Sequence, residues 1–457
     1  MAKDSSTDSI NRRKYIKLAA AAGTVSLAGC SGNGGNGGNG NGGGNGNGGG
    51  NGNGGSSGNG NGDGGPNPLE IQHWWTAGGD AVAMEALKDG FKERNPDIEI
   101  KENPVSGGGG QNLQAVIRER VLNNDPPSTW QDWPGRNLSD YVEAGALKDI
   151  GYIWEGDFEE NVRDGAKLSA RAGDPDNPYV AVPMNIHRIN NLFYDIGLIE
   201  DAGVDPSGIS DPEELNEVLV QIEDATDAAG LSIQQSAAWS TLQLWGNVLM
   251  GMYGAETYRE FRNGEDVRSE VGDSLGVTAE MIDHLTPDAG SIDNDEAGNK
   301  VVQGEAGFAQ EGDWLAGNYQ EVEDYDFEDD WDHIPFPGTE GAYQINTDGF
   351  PYPKPNPSPE ATDAWMEWVG SAEAQEIFNP LKGSIPIRTD VSMDEFPPFL
   401  TRQYDDFLNS DTQPLTIAHG DGVTPQQDVA LKNAMSRFIE NRNVDETADA
   451  LLSAIQS

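Results

Sequence analysis

Apolar and polar residues alternate through Leu69-Glu70-Ile71-Gln72-His73-Trp74-Trp75, a two-residue period that predicts a strand running into a loop. The pattern then changes to a helical one. Val82, Leu87 and Phe91 are expected on its buried side, and Asn95-Pro96 is expected to end it because Pro cannot continue a helix. Ile98-Glu99-Ile100-Lys101 alternates again, so strand, helix and strand form a βαβ unit over a parallel sheet. Further along, Leu113 to Leu122 predicts a helix before the turn Asn124-Asp125-Pro126-Pro127. Tyr179 to Pro183 predicts a strand, and Leu198 to Gly203 a short helical stretch. Asp211-Pro212-Glu213-Glu214 opens a long helix, with Pro near its first position and acid where the helix dipole favours it. Glu360 to Glu376, Gln426 to Ile439 and Asp445 to Ile455 read as helices. The Pro-rich stretch Pro351 to Pro359 reads as a link between lobes. Pro68 to Ser457 is long enough for two domains of alternating β and α elements.

The chain before this body has a different pattern. Arg12-Arg13-Lys14 precedes an apolar, Ala-rich run from Leu18 to Leu27 that ends in Leu27-Ala28-Gly29-Cys30. A cationic region, a short apolar region and small residues before a cysteine make residues 1–30 a twin-arginine lipoprotein signal. The run is too short for a permanent membrane helix. Cys30, the sole cysteine, is expected to become the lipidated N-terminus, so the body carries no disulfide. Residues 31–67 are almost entirely Gly and Asn, which cannot bury apolar surface. They are expected to act as a disordered tether with a span of roughly 30–35 Å, holding the body on the outer face of the cell membrane.

Charge narrows the function classes. The 77 acidic residues against 28 Lys and Arg give a net charge of −49 and leave no basic stripe for phosphates, which excludes nucleic acid. Self-repulsion at this charge is screened in molar salt, where the Debye length is about 3 Å, so the chain reads as a halophile's protein. Eight of the twelve residues from Glu321 to Asp332 are acidic, but without the spacing of a calcium loop. A solvated acidic face is expected there. The five histidines lack metal-ligand spacing, so neither metal nor cofactor is expected. No P-loop, zinc-protease, nucleophile-elbow or dinucleotide fingerprint occurs, and the Gly107 to Gly110 run lacks the Lys-Ser or Lys-Thr of a nucleotide loop. Asn137-Leu138-Ser139 has the form of a glycosylation sequon.

Seven segments together carry a resemblance: His73-Trp74-Trp75-Thr76 with Gly78-Gly79, Gly107 to Gly110, Pro126-Pro127, Val182-Pro183-Met184-Asn185-Ile186-His187-Arg188, Gln310-Glu311-Gly312-Asp313-Trp314, Lys382-Gly383-Ser384-Ile385-Pro386 and Ala418-His419-Gly420. The sequence resembles the extracellular solute-binding proteins of sugar ABC importers, the family of maltose-binding protein, and within it the glucose/mannose-binding branch, as a haloarchaeal member. The resemblance implies a periplasmic-binding-protein-like α/β fold of type II, with two lobes, a central cleft and a hinge. It places lobe one at about 68–182 and 345–380, and lobe two at about 183–344 and part of 381–457. It also implies a monomeric, non-catalytic receptor that captures a sugar and delivers it to permease subunits driven by a cytoplasmic ATPase.

A sugar offers flat C–H faces and a rim of hydroxyls, so its receptor needs aromatic planes and paired polar groups. Trp74 and Trp75 are adjacent, so one is expected to face the ligand and the other the core. Trp239 is a cleft candidate, whereas Trp245 is expected in the core. Asp313-Trp314 pairs a carboxylate for two hydroxyls with an aromatic face, and Gly312 is expected to let the loop approach closely. Asn185 and His187 lie two apart and point the same way in an extended chain. His419 sits in a Gly-rich loop, and Lys382 lies beside Gly383. Where the family branch carries a Lys after the Gly-rich segment, this chain has Arg118, whose planar fork reads hydroxyls differently. The competing classes are a cell-surface glycoside hydrolase, a receptor for an oligosaccharide or other polyol, and a structural surface protein.

Overall fold

The computed structural model describes residues 67–322 and 325–457. The signal segment, Cys30 and nearly all of the tether lie outside them.

Strands β1 (Leu69–Gln72), β2 (Ile100–Glu102) and β3 (Thr129–Trp130) form a parallel sheet in the order β2-β1-β3. The helix Gly78–Arg94 crosses between β1 and β2 and stops at Asn95, as the Pro after it requires. It buries Ala83, Met84, Leu87 and Phe91, while Val82 is 37 % exposed. Val82 therefore does not belong to the buried side. Ala83 and Met84 align with Leu87 and Phe91 at three- and four-residue spacing, and Val82 falls off that stripe. Trp75, Val182, Phe350, Trp365 and Phe378 complete this first core. Each such fully buried side chain contributes about 1.5–3 kcal/mol.

A second sheet, β7-β8-β6-β9, builds the other lobe from β6 (Asn191–Asp195), β7 (Ala229–Ser232), β8 (Ala306–Glu311) and β9 (Trp331–Pro335). Here β6 runs antiparallel to β8 and β9, and β7 runs parallel to β8. The helix Pro212–Ala225 starts where the sequence predicts, with the Asp211 side chain accepting from the backbone of Glu213 and Glu214. The helices Ala238–Arg262, Pro425–Asn441 and Val444–Ile455 pack into the same core, which holds Trp245 as expected.

Between the lobes lie two short antiparallel pairs. β4 (Ala181–Pro183) pairs with β11 (Gly349–Pro351), and β5 (His187–Arg188) with β10 (Ile345–Asn346). The Pro-rich stretch is not the link that its composition predicts. Tyr352 N–H donates to Val180 O and Lys354 N–H to Ala146 O, and Tyr352 lies in the first core. β4 and β11 each carry a single Pro at the strand end, Pro183 and Pro351, so only the first residue of the Pro-rich stretch enters the crossing and the other residues of both strands keep their N–H groups. The expected single helix from 360 to 376 is two, Pro359–Val369 and Ala372–Lys382, because the Ser371 side chain caps a new start. No helix among the described residues is long and apolar enough to cross a membrane.

Candidate functional site

A cavity of about 460 Å³ lies between the lobes, where the strand ends of both sheets converge. Trp74, Trp75 and Trp133 line it from the first lobe, and Trp239 and Trp314 from the second. β1 stops at Gln72, so the paired tryptophans follow the strand and both reach the wall. Trp75 is buried against Phe378 and Phe350, and half-buried Trp74 sits edge-on to Trp133 at 4.8 Å. His419 joins the two sides. Its ring lies 5.1 Å from Trp133, 4.9 Å from Trp239 and 5.5 Å from Trp314.

The Gly107 to Gly110 run belongs here for a steric reason. A Cβ on Gly109 would sit 2.4 Å from Trp239 Nε1, and one on Gly110 would sit 3.0 Å from the Trp74 ring. Both glycines have positive φ. The loop thus closes the cavity against a tryptophan of the opposite lobe.

Beneath the aromatic walls is a buried charged network. His187 bonds Asp313 through Nδ1 and lies 3.1 Å from Asp348 through Nε2. Burial and Lys382 push the imidazole pKa down, but Asp313 and Asp348 outweigh them and hold it above its usual value. Burial opposes ionisation of Asp348, yet His187 and Lys382 bring its pKa to about 2. The Lys382 ammonium lies 2.8 Å from Asp80. Burial opposes its charge, and Asp80 and Asp348 restore it. His419 is the neutral member, because burial pushes its pKa well down. Its Nε2 donates to Gln243 Oε1 at 2.8 Å, which leaves Nδ1 as an acceptor without a partner among the described residues. Trp239 Nε1, Gln234 Nε2 and Asn346 Oδ1 also lack partners among the described residues, and all three residues line the cavity. Buried polar atoms are usually satisfied, so this group marks a place for a polar ligand.

Of the ten residues expected to bind ligand, Trp74, Trp75, His187, Trp239, Trp314, Lys382 and His419 line the cavity. Three do not. Asp313 is fully buried, and its oxygens are committed to His187 and to the Arg188 backbone N–H rather than to hydroxyls. Asn185 is also fully buried and holds Asp348 at 2.9 Å and His187 at 3.0 Å. Arg118 lies on the helix Gln111–Leu122 beside buried Tyr141 and Asp132. Nor does Gly312 serve close approach to a ligand. The Trp314 ring folds back over it, 2.2 Å from where a Cβ would sit. The Asn137 sequon is closed as well, since its amide is buried and donates to Asp132 Oδ1 at 2.6 Å.

Sequence reasoning missed Trp133, Asp80, Asp295, Asn346 and Asp348. Trp133 carries the one local signal, a tryptophan just past a strand end. Asp295 reads in the sequence as part of a helix start, where Asp293 forms a capping box with Glu296. The acidic run remains largely at the surface, although Asp332 pairs with Arg402. Among the described residues no group of three or more His, Cys, Asp or Glu could hold a metal ion.

The profile of the bacterial extracellular solute-binding protein family matches residues 74–376. A xylose/arabinose-binding protein of Haloferax volcanii is 40% identical over 458 residues, covering 99% of each chain. An uncharacterized ABC transporter extracellular-binding protein of Pyrococcus horikoshii is 32% identical over 391 residues, covering 85% of this chain and 87% of its own. The solved structure of a chitin oligosaccharide binding protein superposes with a TM-score of 0.74 at 15% identity, over 86% of this chain and 99% of its own. The Haloferax relative corrects the expected sugar branch, because a protein alike from end to end is named for pentoses and not for glucose or mannose. The motifs behind the glucose/mannose expectation supply tryptophans, the glycine loop, His187, Lys382 and His419 to the cavity, and aromatic planes with paired polar groups suit a pentose ring as well as a hexose ring.

Proposed function

Since the chain belongs to the family of bacterial extracellular solute-binding proteins, we propose that its cavity takes a pentose of the xylose/arabinose class. The protein is the sugar-binding component of an ABC import system, carries its ligand outside the cytoplasm and catalyses no reaction. The observation that carries the site is the cavity itself: five tryptophans and a neutral imidazole around buried donors and acceptors that have no partner among the described residues. The aromatic planes suit the C–H faces of a sugar ring, and each hydroxyl can donate to one wall and accept from another. Trp133, Trp239, Trp314 and His419 come from distant parts of the chain, so a ligand touching all of them favours the closed arrangement of the lobes.

A thermal-shift screen of pentoses and hexoses in molar KCl tests this reading. A ligand at a hundred times its Kd should add about 2.7 kcal/mol of stability. Xylose or arabinose should raise the melting temperature most, and a hexose raising it more than either pentose would overturn the pentose assignment.

The finer placement is also our reading. Cys30 carries the lipid and the Gly/Asn tether holds a monomeric receptor beside its permease. The support is the small-residue cleavage site before the sole cysteine. Cys30→Ser should move the protein from the membrane fraction to the medium without changing sugar affinity. Retention of the variant on membranes through a high-salt wash would refute the anchor.

A further inference from the structure

The charges around the cavity are uneven. Asp80, Asp293, Asp295 and Asp348 line it, against the cations Lys382 and His187. Both cations are already committed, Lys382 to Asp80, and His187 to Asp313 and Asp348. Asp295 is held differently. Its Oδ1 accepts from the side-chain amides of Asn294 and Asn318, each at 2.9 Å, and no described residue donates to Oδ2. Asn318 also accepts from the Gly79 N–H at 3.0 Å, which ties Asp295 to the start of the first-lobe helix that carries Asp80. The two carboxylates therefore come from opposite lobes and line the same cavity.

We propose that Asp295, opposed by Asp80, sets the charge class of the ligand, so that the site accepts neutral sugars and rejects sugar acids. This rests on the reading of the cavity as a pentose site and adds a rule of selection to it. A hydroxyl can donate to the open oxygen of Asp295. A ligand carboxylate would meet that oxygen with like charge and find no uncommitted cation among the described lining residues, only the neutral indole and amide donors of Trp239 and Gln234. Burial first, and then the charge of Asp80, raise the Asp295 pKa to about 6, which is consistent with a carboxylate already crowded by negative charge. Charges inside a closed cavity are screened by salt much less than surface charges, so the selection should persist in molar KCl.

Xylose, glucose and glucuronate share the same ring hydroxyl configuration and differ at C5, where they carry a hydrogen, a neutral CH2OH and a carboxylate. Glucose thus controls for size. Competition calorimetry against xylose in molar KCl, at neutral pH, should find glucuronate at least about 30-fold weaker than the neutral sugars that bind. Asp295→Asn keeps the shape and the amide contacts, and should shrink the glucuronate penalty relative to xylose about 10-fold or more. Asp80→Asn should act in the same direction from the opposite lobe, and serves if the first variant folds poorly. A glucuronate penalty that is unchanged in both variants would overturn the proposal, as would wild-type binding of glucuronate as tight as that of the neutral sugars. If wild type binds neither pentose, the pentose assignment fails by itself. Glucose and glucuronate then decide the charge rule directly, with tighter glucuronate binding overturning it.

Discussion

Gly109→Ala separates closure of the cavity from stability of the fold. The added Cβ would sit 2.4 Å from Trp239 Nε1 of the opposite lobe, against ordinary contacts of about 3.5–4 Å. The lobes must part by about 1 Å, or the indole must move. Overpacking of this kind costs about 1–3 kcal/mol, which is roughly 5- to 150-fold in Kd. Gly109 also has a φ of 53°, where a side chain costs about 1–2 kcal/mol of backbone strain. That second cost applies to open and closed forms alike, so it lowers the melting temperature and leaves Kd untouched. Gly145→Ala supplies the control, because Gly145 has a φ of 70° and nothing within 4 Å of the new Cβ. Calorimetry and thermal melts on both variants in molar KCl should show lower melting for each, and weaker sugar binding for Gly109→Ala alone. Unchanged affinity in Gly109→Ala would mean that the loop does not close on Trp239 when sugar binds. Equal loss of affinity in both variants would show that strain, and not the clash, is responsible.

Three further outcomes follow from the site and its surroundings. Trp314→Ala should lose about 2–4 kcal/mol of binding, roughly 30- to 1,000-fold in Kd, with only a modest fall in melting temperature because its ring is half-buried; a fall like that of a fully buried tryptophan, about 3–5 kcal/mol of stability, would make it structural. Asp313→Asn should instead act on folding, because it leaves buried His187 without one of its two carboxylates, at about 3–5 kcal/mol in chemical denaturation; a variant of parental stability with weak sugar binding would return Asp313 to the ligand. Burial lowers the His333 pKa to about 4, so the unfolded chain takes up this proton first as pH falls from 6.5 toward 4, and stability drops across that window. His333→Gln should therefore lose about 2 kcal/mol less than the parent between pH 7 and 4.5 in denaturant titrations, and equal losses would refute the assignment.

What the sequence makes legible here is local. Alternation in Leu69 to Gln72 and the Asp211-Pro212 helix start are set by nearest neighbours, and both elements appear where they are expected. The two-residue spacing of Asn185 and His187 brings their side chains within 3.0 Å. The roles of polar residues depend on partners far along the chain. Asp313 looks like a ligand carboxylate until His187, 126 residues earlier, is found against it. Asp348 has no local signal at all, because its position follows from the antiparallel pairing of β4 with β11 and β5 with β10. Tryptophans were easier to place. Trp74 follows a strand end, and Trp239 and Trp314 sit at helix starts; all three reach the cavity.

Isothermal titration of the purified chain with xylose and arabinose, in molar KCl, tests the central claim most directly. The predicted result is saturable binding of one sugar per chain to at least one of the two pentoses. Its heat-capacity change should be negative as the tryptophan walls are buried, and the sugar should be recovered unchanged. Absence of saturable binding for both pentoses, or conversion of the sugar during the titration, would contradict it.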